Sequence, residues 1–173
     1  MRREINSLRT LIALFVAAIV SGCALFGGGG PEDRVSSLKR YKNYTVTAPS
    51  TWSSMEKADS DSAYRVRSGA IATLTSSCER DYTEPPELLT KHLLIGARKI
   101  QNLSSERFSV EGSEGLYSHI QAHLEGRPFD LHFFVLVKKN CIFDFSLMSP
   151  KTINDVEVGE FKVFFRSFHN AAQ

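Results

Sequence analysis

The sequence predicts an α+β domain built on an antiparallel sheet, and three observations carry that prediction. Beyond residue 43 most of the chain alternates apolar and polar residues with period two. Turn formers part the alternating runs at hairpin spacing. The last apolar run breaks the pattern: Phe161, Phe164, Phe165 and Phe168 recur at three and four, the spacing of a helix with an aromatic stripe.

The first segment is an address. Arg2, Arg3 and Arg9 precede an uninterrupted apolar run from Leu11 to Val20, followed by the small residues Ser21 and Gly22. That run is about half of the ~20 apolar residues a transmembrane helix needs. It therefore reads as a secretion signal over residues 1–22. Val20-Ser21-Gly22-Cys23 resembles the lipobox of bacterial lipoproteins, which implies that Cys23 carries a diacylglycerol and fatty acyl chains such as palmitate. Each buried methylene adds roughly 0.8 kcal/mol of membrane partitioning, so two or three chains anchor stably. Ala24 in the following position points to the outer membrane, facing the periplasm. Residues 23–38, with Gly27 to Gly30 and Pro31, have no apolar periodicity and read as a flexible tether. The globular domain is expected over residues 39–173.

Removing three arginines and one glutamate with the signal from 21 basic and 19 acidic residues leaves 18 of each. The apparent basicity belongs to the targeting segment, and nucleic acid is disfavoured as a partner. The membrane, through the N-terminal lipid, and envelope proteins are the expected partners.

Within the domain, Tyr44 to Ala48 alternate and stop at Pro49. Ala63 to Arg67 and Ala70 to Ser76 form two further strands about the turn former Gly69. A helix is expected from Thr83, with Pro85 and Pro86 in its first turn and Leu89, Leu93, Ala97 and Ile100 on one side; Gly96 is its weak point. Leu116, Ser118, Ile120, Ala122 and Leu124 then alternate with Tyr117, His119, Gln121 and His123. Phe129, Leu131, Phe133, Val135 and Val137 share a face opposite Asp130, His132 and Lys138. A two-residue turn at Glu125-Gly126 sets His119 across from His132. Cys141, Phe143, Phe145 and Leu147 are expected to join the face of Phe133, which requires an odd-length loop at Lys139-Asn140.

This order of elements, with Pro49-x-x-Trp52 after the first strand, the Leu131-to-Phe145 hairpin and the terminal Phe165-Arg166-Ser167-Phe168, resembles the PsbP-like superfamily, including DcrB-type bacterial lipoproteins. The resemblance spans Tyr44 to His169. It implies a central antiparallel sheet flanked by helices on both faces, an accessory or assembly role without a shared active site, and Trp52 as a core anchor.

The residues support the same class. There is no Gly-x-Ser-x-Gly elbow, Cys-x-x-Cys or His-Glu-x-x-His; His119-Ile120-Gln121-Ala122-His123 has the outer spacing of the last but lacks the glutamate and lies on a strand. The expectation is a lipid-anchored, non-catalytic accessory or binding module that needs no cofactor. The alternative is a periplasmic enzyme or metal-binding protein in which His119, His123 and His132 converge on one side of the hairpin and hold a transition metal with an open position. A polar sheet face explains the same three residues. With Cys23 assigned to lipid, Cys78 and Cys141 remain as a pair in an oxidising compartment, which points to a disulfide; two buried thiols are the other reading.

Overall fold

Three tight hairpins set the architecture of the computed structural model, which describes residues 43–56, 59–78 and 84–170. Strands β5 (Arg98–Val110), β6 (Ser113–Leu124), β7 (Arg127–Lys138) and β8 (Cys141–Ser149) are joined by the dipeptides Glu111-Gly112, Glu125-Gly126 and Lys139-Asn140. All six linking residues have positive φ. This is the backbone of a type I′ turn, whose twist matches that of the strands it joins. Shorter strands β1 (Tyr44–Thr45), β2 (Ser53–Ser54), β3 (Ser62–Arg65) and β4 (Ile71–Cys78) precede them, and β9 (His169–Asn170) follows. The seven-stranded sheet runs β2-β3-β4-β8-β7-β6-β5, and β1 pairs with β9 separately. Every pairing is antiparallel. The lipobox residue Cys23, the tether and Thr83 lie outside the described residues.

Helix α1 (Pro86–His92) is shorter than the expected helix from Thr83 to Ile100. Gly96, at φ +87°, ends the turn after it, and the chain enters β5 at Arg98. Backbone pairing with β6 overrides the local pattern there. The strand is exposed along most of its length, so no apolar alternation marks it in the sequence. Arg107 on β5 pairs with both Glu87 of α1 and Glu114 of β6, tying the helix to that edge.

The face assignment of β8 also needs correction. The Lys139-Asn140 turn has two residues, so Cys141 lies opposite Lys138, Phe143 opposite Leu136, and Phe145 opposite Phe134. Cys141, Phe143, Phe145 and Leu147 therefore share the face of His132 and Phe134, not that of Phe133. An even loop preserves direct opposition, and the sheet is apolar on both sides.

Helix α2 (Asp155–Arg166) begins at Asn154, whose side chain accepts from the Glu157 amide at 3.0 Å, while Asn154 Nδ2 donates to Glu157 Oε2 at 3.0 Å. Its Phe161, Phe164 and Phe165, with Phe168 just beyond, pack on Phe134, Phe143, Phe145 and Leu147. Phe165 stacks on Phe134 with centroids 4.0 Å apart. Burying each such ring contributes about 2–3 kcal/mol. Trp52 is buried among Tyr64 and Phe164, and its indole N–H donates to Glu160 Oε2 at 2.9 Å. Leu89 of α1 packs instead on Val135 and Ile142, the alternate residues of β7 and β8.

Cys78 and Cys141 stand directly opposite each other in the β4–β8 ladder with Cα atoms 4.1 Å apart, and their sulfurs are at bonding distance. Gly115 on β6 fills a place no other residue fits. A Cβ there would overlap the Phe134 ring and approach the Val135 carbonyl oxygen at 2.9 Å.

Candidate functional site

The β6–β7 hairpin brings a buried polar cluster together by period two alone. His119 lies opposite His132 and Gln121 opposite Asp130, so His119, Asp130 and His132 emerge on one face. That face is the one α2 covers, and two members of the polar set are buried beneath it: Asp130 is 4% exposed and His132 2%.

The His119 and His132 rings stack with centroids 4.1 Å apart and planes 11° from parallel. His119 Nε2 lies 2.6 Å from Asp130 Oδ1, and the Ile153 amide donates to Asp130 Oδ2 at 2.8 Å. Asp130 thus holds the segment that leads into α2. His132 Nδ1 is 2.6 Å from the Tyr117 hydroxyl. His132 Nε2 is 3.7 Å from Asp130 Oδ2 and has no hydrogen-bond partner among the described residues.

These distances assign the protons. A lone pair on His132 Nε2 would face a carboxylate oxygen, whereas an N–H there is attracted to it. The Tyr117 hydroxyl therefore donates to Nδ1, and Nε2 keeps the hydrogen. Burial, reinforced by Asp130 and Glu106, pushes the Tyr117 hydroxyl up to about 12, which suits a donor. Burial, and then the neighbouring His119, pulls His132 down from 6.5 to about 4, with Asp130 opposing, so its ring is neutral at pH 7.

Donor atoms of His119, Asp130 and His132 lie within 4.8 Å of one another. Imidazole binds a metal along a lone pair in the ring plane. Parallel stacked rings direct their lone pairs side by side, so one ion cannot lie in both planes without a rotation of one ring. His123 stays out of the cluster. It is four residues from His119 along β6, roughly 13 Å at ordinary strand rise, and lies opposite Pro128.

His123 instead lines a cleft of about 490 Å³ between the ends of β5, β6 and β7 and the segment Pro150 to Thr152. Lys99, Gln101, Gln121 and Lys151 supply polar groups to it, and Asp130 is also part of its lining. The cleft is thus rich in donors, while its carboxylate is engaged behind them.

No family model matches the chain, and no characterised protein sequence is significantly similar to it. Solved structures do resemble it. Cyanobacterial PsbP (CyanoP) from Synechocystis sp. PCC 6803 superposes with a TM-score of 0.56, covering 84% of this chain and 98% of that one at 16% identity. The domain has a PsbP-like fold. A Bacteroides thetaiotaomicron protein, of which the chain spans 46%, aligns over 76% of this chain with a TM-score of 0.54 at 13% identity. LpqN of Mycobacterium tuberculosis, a protein involved in cell envelope biogenesis, aligns over 76% of this chain and 84% of its own length with a TM-score of 0.53 at 10% identity. Among the described residues of this PsbP-like domain no helix is long and apolar enough to cross a membrane.

Sequence reasoning placed His119 opposite His132, but it treated Asp130 as a bystander. The signal was present. Asp130 and His132 are two apart on one strand, so they share a face.

Proposed function

We propose that the chain is a lipid-anchored accessory protein of the bacterial cell envelope that binds a partner or ligand without converting it. The observation that carries this reading is the donor-lined cleft of about 490 Å³, in which the buried Asp130 is engaged by His119 and the Ile153 amide. Asp130 held this way fixes the wall of the cleft and the segment that enters α2. The reading is supported further by the fold shared with LpqN, and the anchor by Val20-Ser21-Gly22-Cys23. The sheet with a helix over each face is the frame of the binding module, supported by Leu89 on Val135 and by the α2 phenylalanines on Phe134.

The test has two arms in the native cell. Cys23→Ser is expected to abolish labelling by a fatty-acid analogue, and a mutant still labelled ends the anchor reading. A photo-crosslinker at Gln121 or Lys151 is expected to capture a discrete envelope component. Turnover by the purified protein in a panel of hydrolase substrates, lost on substitution of Asp130, would replace the binding reading with catalysis.

A metal-binding reading at His119, Asp130 and His132 has one observation in its favour, the 4.8 Å spread of donor atoms. It requires His119, the more exposed ring, to leave the stack.

A further inference from the structure

A second pocket, separate from the cleft, opens on the face of the sheet where α1 packs. It holds about 270 Å³ and is lined by Leu93, Leu124, Leu131, Phe133 and Met148, with Asp144 set among them. We propose that this pocket binds a small apolar molecule carrying a protonated amine, its ammonium donating to the Asp144 carboxylate and its body lying on Leu131, Phe133 and Met148.

Asp144 lies between Thr75 of β4 and Val135 of β7, so its ladder neighbours bring no cation. Its Oδ1 is buried and has no hydrogen-bond partner among the described residues. Three hydroxyls line the pocket: Thr75, opposite Asp144 in the ladder, and Thr73 and Ser146, which are 2.6 Å apart and bonded to each other. A carboxyl left without donors costs about 1–3 kcal/mol or more, unlike one with its hydrogen bonds made. Burial accordingly raises it from 3.8 to about 7. Such a group gains most from a ligand that brings its own donors and positive charge.

The lining sets the rest of the specificity. Among the described residues no lysine, arginine or histidine lines the pocket, so an anionic head would stand beside a carboxyl with nothing to offset it. No titratable side chain of β4 faces Asp144, since Cys78 is in the disulfide. From β7 it meets Val135 and Phe133, and from β8 Ser146 and Ile142; Lys91 and His92 of α1 do not line the pocket. The volume matches the space of roughly nine waters, which suits an arylalkylamine rather than a lipid.

The experiment is methyl and carboxyl NMR of the full chain at pH 6, 7 and 8, titrated with phenethylamine, 2-phenylethanol and 3-phenylpropanoate. Phenethylamine is expected to shift the methyl signals of Leu131 and Met148, to bind about tenfold more tightly at pH 8 than at pH 6 as Asp144 ionises, and to lower the pH at which the Asp144 carboxyl titrates. Asp144→Asn should weaken phenethylamine at least tenfold and remove the pH dependence. The carboxyl titration of the unmodified chain stands as the test should that variant not fold. Equal or tighter binding of phenylpropanoate or phenylethanol, binding independent of pH, or no binding of the amine would overturn the assignment. None of these outcomes bears on the cleft.

Discussion

His132 should subtract from the stability of this domain in acid, and the size of its contribution follows from its surroundings. In the unfolded chain the ring titrates near 6.5, and in the fold burial and His119 pull it to about 4. The folded state therefore binds fewer protons than the unfolded one between these values. Stability from this group is complete above about pH 6.5 and is lost as pH falls toward 4. The full difference is about 3 kcal/mol, of which about 2.5 kcal/mol is lost by pH 4.5. That is a large share of the ~5–15 kcal/mol of a typical domain. Asp144 acts in the opposite sense over about the same range, because its raised value makes the folded state the better proton binder. The absolute pH slope therefore mixes both groups, and the difference between wild type and His132→Phe isolates one. Urea unfolding of both at pH 7.5 and pH 4.5 should show the wild type losing about 2.5 kcal/mol more than the variant. Parallel losses would refute the placement of His132 as a buried neutral ring.

Replacing Cys78 and Cys141 together by serine should lower stability by about 4 kcal/mol in the loop-entropy model, given their separation of 63 residues. Mass spectrometry of the unreduced protein after alkylation should find neither thiol modified, and two alkylated cysteines would show that the bridge does not form. Gly115→Ala should cost about 2 kcal/mol or more, since the methyl group must displace the Phe134 ring from the centre of the core. Chemical denaturation is the measurement, and a cost near zero would mean the β6–β7 packing is looser than described. Calorimetry with zinc should give no heat above dilution unless the His119 ring leaves its stack; heat that disappears in His119→Ala and His132→Ala would establish the metal reading.

The fold was legible where burial left a pattern. Leu116 to Val137 alternate because each strand presents one face to each side, and Glu125-Gly126 names its own turn type, so the register of His119 on His132 could be read directly. The phenylalanines of α2 were legible for the same reason at helical period. Strand β5 was not, because an edge strand exposed on both sides needs no alternation, and Leu93, Ala97 and Ile100 continued the helical spacing into it by chance. The orientation of β8 failed on a different ground: Lys139 and Asn140 both accept positive φ, so a turn without glycine served as a two-residue hairpin. The site was half legible. Strand parity gave its members a shared face, but the sequence does not say that this face lies under α2, and only that cover turns His132 and Asp130 from a wet polar surface into a buried network.

The pairing of β1 with β9 sets Tyr44 beside Asn170, with the Tyr44 ring against Phe143 and Phe168. Both strands thus lie near the Lys138–Cys141 end of the β7–β8 hairpin. An insertion that breaks this short pairing would free Tyr44 from Phe143 and Phe168 and open the core at that end. The Glu125-Gly126 turn lies at the far end of β7, roughly 40 Å away at ordinary strand rise. For a probe meant to leave the β1–β9 pairing undisturbed, an insertion at that turn is the better choice.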